Sequence, residues 1–184
     1  MVSVVVPSYN RRDCMLALLA DLHRQEGVAF EVIVVDDGST DDSVAAIRRA
    51  FPSVQLLVND TNSGPAVTRN RGIRAARGAI IAGFDSDVTL PNPYLLAHIA
   101  TRFDAHPDID GLALRLLTAD GTRDDRARWW HSRPIETHAD RAFLTSYFSG
   151  TAYAFRRDAV VTAGLYPEIL YMHYEEVELA WRVL

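Results

Sequence analysis

Asp85 and Asp87 stand one residue apart, directly after the apolar run at residues 79–84. A short apolar run ending in turn residues predicts a buried strand. In open α/β sheets, ligands bind beyond the carboxyl ends of the strands. Two hard oxygen ligands at such a place suit a divalent cation shared with a phosphate, because Mg²⁺ takes one or two carboxylates and keeps its waters. Asp36 and Asp37 follow a second apolar run, 30–35. A carboxylate there can accept hydrogen bonds from a base N–H or from ribose hydroxyls. Tyr9 follows the first run, in Pro7-Ser8-Tyr9-Asn10, and its ring can stack on a base. Arg69 lies near the start of a predicted helix, and its fork matches phosphate oxygens. Glu175 and Glu176 open the last predicted helix. A positioned carboxylate can take the proton from an attacking hydroxyl.

Each signal also has a plainer reading. Asp37-Gly38 is turn chemistry, so the acids at 36 and 37 read equally well as the start of a turn. Arg69 and Arg71 read as solvated surface residues, and spacing favours that for at least one. Acids are favoured at helix starts by the macrodipole, and Glu175-Glu176 in isolation reads more readily that way. Glu178 and Arg182 are spaced i,i+4 and read as a helix-surface pair. His173 reads as lying off the site, Arg156-Arg157 as a surface pair at a strand end, and Cys14 as a helix residue without a chemical role.

The elements that must position these groups alternate in kind. Strands are predicted over 2–6, 30–35, 54–58 and 79–84, and helices over 13–26, 42–50, 64–76 and 93–106. Ser39 and Asp42 resemble a capping pair, and Pro65 belongs in the first turn of its helix. This βαβαβαβα order predicts a mostly parallel sheet with helices on both faces. Beyond residue 109 the pattern loosens. A strand is expected over 111–117, a polar excursion over 118–137, a strand over 151–155 and a short helix from Arg157. The chain reads as one domain over 1–184 in two halves, a regular one at 1–90 and an irregular one at 91–184.

A chain of 184 residues with 48% hydrophobic and 23% charged residues is ordinary for one globular domain with a real core. Its net charge of −5 gives no reason to expect a nucleic-acid partner. One cysteine excludes an intrachain disulfide framework and a multi-cysteine zinc site. No run approaches the ~20 apolar residues of a membrane span. The last helical pattern reaches Leu184 without a stop signal, so the chain is expected to be a piece of a longer protein. Without Gly-x-Gly-x-x-Gly after the first strand, the dinucleotide fingerprint is absent.

Five segments, in this order, resemble family 2 of the inverting glycosyltransferases, of the GT-A fold. They are Val4-Val5-Val6-Pro7-Ser8-Tyr9-Asn10, Val34-Val35-Asp36-Asp37-Gly38-Ser39-Thr40-Asp41, Asn62-Ser63-Gly64-Pro65-Ala66 with Arg69-Asn70, Asp85-Ser86-Asp87, and Glu175-Glu176-Val177-Glu178-Leu179 with Arg182. Each is weak alone, and together they are specific. The resemblance implies that Tyr9 stacks on a nucleotide base, with Pro7 and Ser8 lining the site. It implies that Asp37 binds the base, Asp36 supports it or the ribose, and Arg69 lies near the base or phosphates. Asp85 and Asp87 become the pair that holds Mg²⁺ or Mn²⁺, with Asp87 the direct ligand. Glu176 takes the place of the catalytic base. Glu stands at 176 and 178 where the family more often has Asp, which leaves the choice between Glu175 and Glu176 open.

The implied reaction moves a sugar from a nucleoside-diphosphate sugar, a UDP-sugar by expectation, to a hydroxyl of a glycan, lipid-linked or small-molecule acceptor, with inversion. The region Phe148-Ser149-Gly150-Thr151 resembles the family's segment beside the acceptor, where Gly allows close approach. Trp129 and Trp130 read either as a platform for an acceptor sugar or as core, with core favoured for one. The expected location is the cytoplasm, with contact to the inner membrane face only through segments outside this chain. Two rivals stay open: a nucleotide-sugar-binding fragment without turnover, and a nucleotidyltransferase, which would need no acceptor base at 176.

Overall fold

The parallel strands are apolar on both faces, and their side chains divide with period two. In β1 (Val2–Ser8), Val2, Val4 and Val6 enter one core cluster and Val5 the opposite one. The computed structural model describes residues 1–172 and 174–183. The elements that follow are α1 (Arg12–His23), β2 (Phe30–Asp36), α2 (Ser43–Ala50), β3 (Gln55–Val58), α3 (Pro65–Ala75), β4 (Ile80–Phe84) and α4 (Leu95–Ala105). Then come β5 (Gly111–Ala113), a 3₁₀ turn (Arg126–Arg128), α5 (Ile135–His138), β6 (Ala152–Arg156), α6 (Arg157–Thr162), a second 3₁₀ turn (Glu168–Leu170) and α7 (Glu175–Val183).

The sheet order is β3-β2-β1-β4-β6-β5. The first four strands run parallel, and β6 runs antiparallel to both β4 and β5. The expected mixed α/β sheet, mostly parallel and covered on both faces, is therefore found. Met15, Leu18 and Leu22 of α1 and Phe103 of α4 pack on one face. Ile73 of α3 and Leu179 of α7 pack on the other. Gly72 lets α3 lie close on the sheet, since a Cβ there would run into Val5 Cγ1.

Two registers position the site. Ser8 pairs with Asp36, so the ends of β1 and β2 open side by side. Phe84 pairs with Ala152, so the antiparallel β6 starts where β4 ends, and the Asp85 N–H donates to the Thr151 carbonyl at 3.0 Å. That reversal carries the second half of the chain back to the acids of the first.

Several local expectations differ from the structure. The Ser39–Asp42 capping pair does not form. Asp42 makes no side-chain cap, Ser39 Oγ accepts from the Asn10 N–H at 2.8 Å, and Asp41 accepts from the Ser43 N–H at 3.0 Å. The strand expected over 111–117 is short, with Leu117 reached only through an isolated bridge to Asp124. Arg156 is no surface residue. Its guanidinium caps the end of α4 by donating to the carbonyls of Phe103 at 2.7 Å and His106 at 3.1 Å, and it lies over the Phe103 ring. Neither tryptophan of the excursion is core: Trp129 is half-buried and Trp130 exposed. The Glu178–Arg182 pair does form, at 2.7 Å, and Arg182 also donates to the Leu165 carbonyl. His173 lies outside the described residues.

Candidate active site

The loops after β1 and β2 are fastened to each other. Asn10, at φ 52°, accepts through Oδ1 from the N–H groups of Thr40 at 2.8 Å and Asp41 at 3.3 Å. Asn tolerates this left-handed conformation because its short side chain can bond locally. Tyr9 beside it is 44% exposed, so its ring is open to a ligand, while Ser8 is buried and Pro7 half-buried.

Asp36 and Asp37 are both buried and have different tasks. Asp37 Oδ1 accepts from Asn59 Nδ2 at 2.6 Å and from the Ser63 N–H at 3.0 Å. Its Oδ2 accepts from the Ser63 N–H at 3.1 Å and the Gly64 N–H at 2.8 Å. The residue expected to bind a base thus spends both oxygens on the loop that leads into α3. Asp36 Oδ1 accepts from the Ser39 N–H at 2.9 Å, and its Oδ2 has no partner among the described residues.

Arg69 is the junction of the site. Its side chain is 6% exposed. Nη2 donates to Asp85 Oδ1 at 2.9 Å, and Nη1 donates to Glu175 Oε1 at 3.0 Å. Instead of reaching toward solvent, the guanidinium joins the acid pair at the end of β4 to the acids that open α7. Gly150 makes room for it, because a Cβ there would lie 3.0 Å from Arg69 Nη2 and 2.8 Å from Glu176 Oε1. Arg71 is also pinned, donating to the Val58 carbonyl at 2.7 Å.

The adjacent glutamates differ. Glu175 is 2% exposed and ion-paired with Arg69. Glu176 is half-buried, and its carboxyl is pushed up by burial, with the charge of Glu175 adding to the shift. Asp85 is also pushed up by burial, with Asp87 adding and Arg69 opposing. Asp87 is exposed. Among the described residues no group of three or more His, Cys, Asp or Glu could hold a metal alone. A cation bound to the acid pair would therefore complete its shell with substrate oxygens and water, as Mg²⁺ and Mn²⁺ do readily. Among the described residues, no helix is long and apolar enough to cross a membrane. A cavity of about 600 Å³ lies under the excursion, lined by Leu112, Leu114, Phe143 and Phe155 and reaching Tyr147 and Ser149 beside the site.

The family model described as glycosyl transferase family 2 matches residues 3–162. The chain belongs to this family. Among curated relatives of this glycosyltransferase domain is the succinoglycan biosynthesis protein ExoO of Rhizobium meliloti, 43% identical over 105 residues, covering 56% of the chain and 30% of the relative. The putative teichuronic acid biosynthesis glycosyltransferase TuaG of Bacillus subtilis is 30% identical over 129 residues, covering 68% of the chain and 51% of the relative. Among solved structures, the mannosyltransferase PcManGT of Pyrobaculum calidifontis, in complex with GDP-Man and Mn²⁺, superposes with a TM-score of 0.77 at 25% identity, covering 99% of the chain and 51% of that protein. The S. aureus TarS fragment 1–349 in complex with UDP-GlcNAc gives 0.77 at 25% identity, covering 99% and 52%. These are GT-A glycosyltransferases, and the glycosyltransferase domain described here shares their fold. The chain spans about a third to a half of the length of these relatives.

Sequence reasoning brought Asp85, Glu175 and Arg69 forward separately, without seeing that they touch. It passed over Asn59 and Tyr147, which carry no local signal: one is a loop amide, the other an aromatic within an irregular stretch.

Proposed function

We propose that this domain catalyses inverting, metal-assisted transfer of a sugar from a nucleoside-diphosphate sugar to an acceptor hydroxyl, with Glu176 as general base. The observation that carries the reading is the Arg69 junction. It brings the acid pair, suited to the diphosphate, against the glutamates, suited to the acceptor. Glu176 is preferred over Glu175 because Glu175 is buried and held by Arg69, whereas Glu176 is half-buried with a raised pKa. A base works best when its pKa lies near the working pH. The acceptor oxygen bonds to the anomeric carbon as the carbon–phosphate oxygen bond breaks. The proton goes to a Glu176 oxygen, and the nucleoside diphosphate leaves with the bonding electrons.

Asp87, with Asp85 beside it, would hold Mg²⁺ or Mn²⁺, which as a Lewis acid neutralises charge on the departing diphosphate. Tyr9 stacks on the base over Pro7 and Ser8. Asp36, fully buried and bonded to the Ser39 N–H, supports the loop after β2, and Asp37 acts by ordering residues 59–64. The neighbours' complexes with GDP-Man and UDP-GlcNAc support a nucleotide-sugar donor, and we expect a UDP-sugar. The names of the relatives, in succinoglycan and teichuronic acid biosynthesis, support a glycan acceptor.

The test is calorimetry with UDP and GDP alongside an assay of transfer or donor hydrolysis with Mn²⁺. Asp87→Ala should lose metal-dependent nucleotide binding. Glu176→Gln should keep it and lose about 10²–10⁴-fold in transfer. Normal turnover in Glu176→Gln would remove the base assignment, and nucleotide binding without turnover would favour the binding fragment. The base must be ionised to act, and its pKa is raised. Transfer should therefore fall, as pH is lowered, at a higher pH than an ordinary glutamate near about 4.3 would give. Glu175→Gln removes the neighbouring charge and should move that acid limb to lower pH.

A further inference from the structure

Three aromatic rings meet at the surface beside Glu176. Trp130 stacks on Tyr147, with centroids 5.6 Å apart and planes at 20°, and Tyr174 leans toward Trp130 at 6.3 Å. Trp130 is 57% exposed and Tyr174 65%. Large aromatics left in water at this density mark a contact surface.

The cluster is held in place. The Trp130 indole N–H donates to the Ala127 carbonyl at 3.1 Å. The 3₁₀ turn beneath it is capped by Asp125, which accepts from the Ala127 N–H at 3.0 Å. Arg128, from the same turn, donates to Thr151 Oγ1 at 3.2 Å and so ties the turn to the strand end beside Asp85. Tyr174 immediately precedes Glu175, and Tyr147 lies three residues before Gly150, whose missing side chain makes room for the Glu176 carboxylate.

The chemistry around the rings restricts the occupant. The 3₁₀ turn beneath the rings carries two arginines, and both are matched. Arg126 pairs with Glu136 at 2.7 Å, Arg128 with Asp125 at 2.5 Å and Arg115 with Asp124 at 2.7 Å. Those pairs leave little reason for a phosphate to settle there. Tryptophan and tyrosine present an apolar face with a polar tip. This combination fits the C–H face of a pyranose ring whose hydroxyls point to water.

We infer that Trp130, Tyr147 and Tyr174 form an acceptor subsite that stacks an uncharged sugar ring and delivers the adjoining hydroxyl to Glu176. The inference rests on the transfer reaction proposed above and adds the class of acceptor, a neutral glycan, and the residues that select it.

The test is saturation-transfer NMR on the full chain with neutral tetramers of glucose, mannose and N-acetylglucosamine, with UDP calorimetry on the same samples. At least one tetramer should bind through its ring protons. Trp130→Ala should weaken it on the order of tenfold, the scale of an interface tryptophan truncation, and Trp130→Phe should weaken it less. Tyr174→Ala, at an exposed position, should also weaken it. The subsite is overturned if no tetramer binds, or if Trp130→Ala binds like the parent. It is also overturned if the rings instead mediate sedimentation with phosphatidylcholine vesicles in place of saccharide binding. Loss of the subsite with UDP binding intact leaves the donor reading standing. Absence of nucleotide binding in the parent protein removes the donor reading whether or not a saccharide binds.

Discussion

The loops at the ends of β1, β2 and β3 are tied to one another by side chains that take backbone N–H groups, whereas the segment 114–150 adds to its backbone bonds a shell of aromatic and ionic side-chain contacts. On the first side, Asn10 takes the N–H groups of Thr40 and Asp41, and Asp37 takes those of Ser63 and Gly64. On the second side, Trp129, His131 and Phe143 form an edge-to-face aromatic cluster, and the ion pairs around it are largely solvated. Surface pairs of that kind are each worth little. The sheet-end loops are thus fixed at backbone positions, while the excursion relies more on ring contacts and solvated pairs. A nucleotide diphosphate is a constant feature of the donor, and acceptors vary, so the asymmetry suits the proposed reaction.

Arg69 belongs to both sides, and removing it should cause the largest change in stability. Arg69→Met leaves Glu175 buried without its cation and releases Asp85. Breaking a buried pair from one side costs about 3–5 kcal/mol. Urea denaturation reads this loss directly. The Arg69→Met/Glu175→Gln double variant should lose less than the sum of the single losses, because the orphaned charge is gone. Strict additivity would show that the two sides meet at Arg69 without being coupled through it.

A smaller loss is expected on the donor side alone. Asp37→Ala strips the partners from Asn59, Ser63 and Gly64 and should cost about 2–3 kcal/mol, the scale of a hydrogen bond to a charged group. Amide exchange should speed up at Ser63 and Gly64 and stay slow in β1. If exchange there does not change, Asp37 is free to serve the base, as the sequence motif alone implies.

That case shows what could be read from the chain and what could not. The parallel strands and their order in sequence were legible, because a strand buried on both faces must be apolar throughout and turn residues bracket it. The direction of β6 was not. Ala152–Arg156 has the composition of a parallel strand, and only its partners decide its sense. The motifs located Asp36, Asp37, Arg69 and the two glutamates. They did not say which lone pairs are already occupied, since Asn59 and Ser63 meet Asp37 from more than 20 residues away in sequence. Likewise nothing local separates Glu175 from Glu176. The distinction comes from a guanidinium 106 residues distant in the chain.

The smallest effect should come from the acceptor side. Arg128 pairs with Asp125 and reaches Thr151, but its side chain is 51% exposed. Solvent screens the pair, and holding a long side chain in one rotamer offsets part of the gain. Arg128→Ala should therefore cost about 0–1 kcal/mol in thermal or urea unfolding. Its sharper signature is local: with the tie to Thr151 gone, amide exchange across the 3₁₀ turn at Arg126–Arg128 should quicken while Ser63 and Gly64 keep their protection. A loss as large as that of Asp37→Ala would mean that the excursion is locked as firmly as the sheet-end loops.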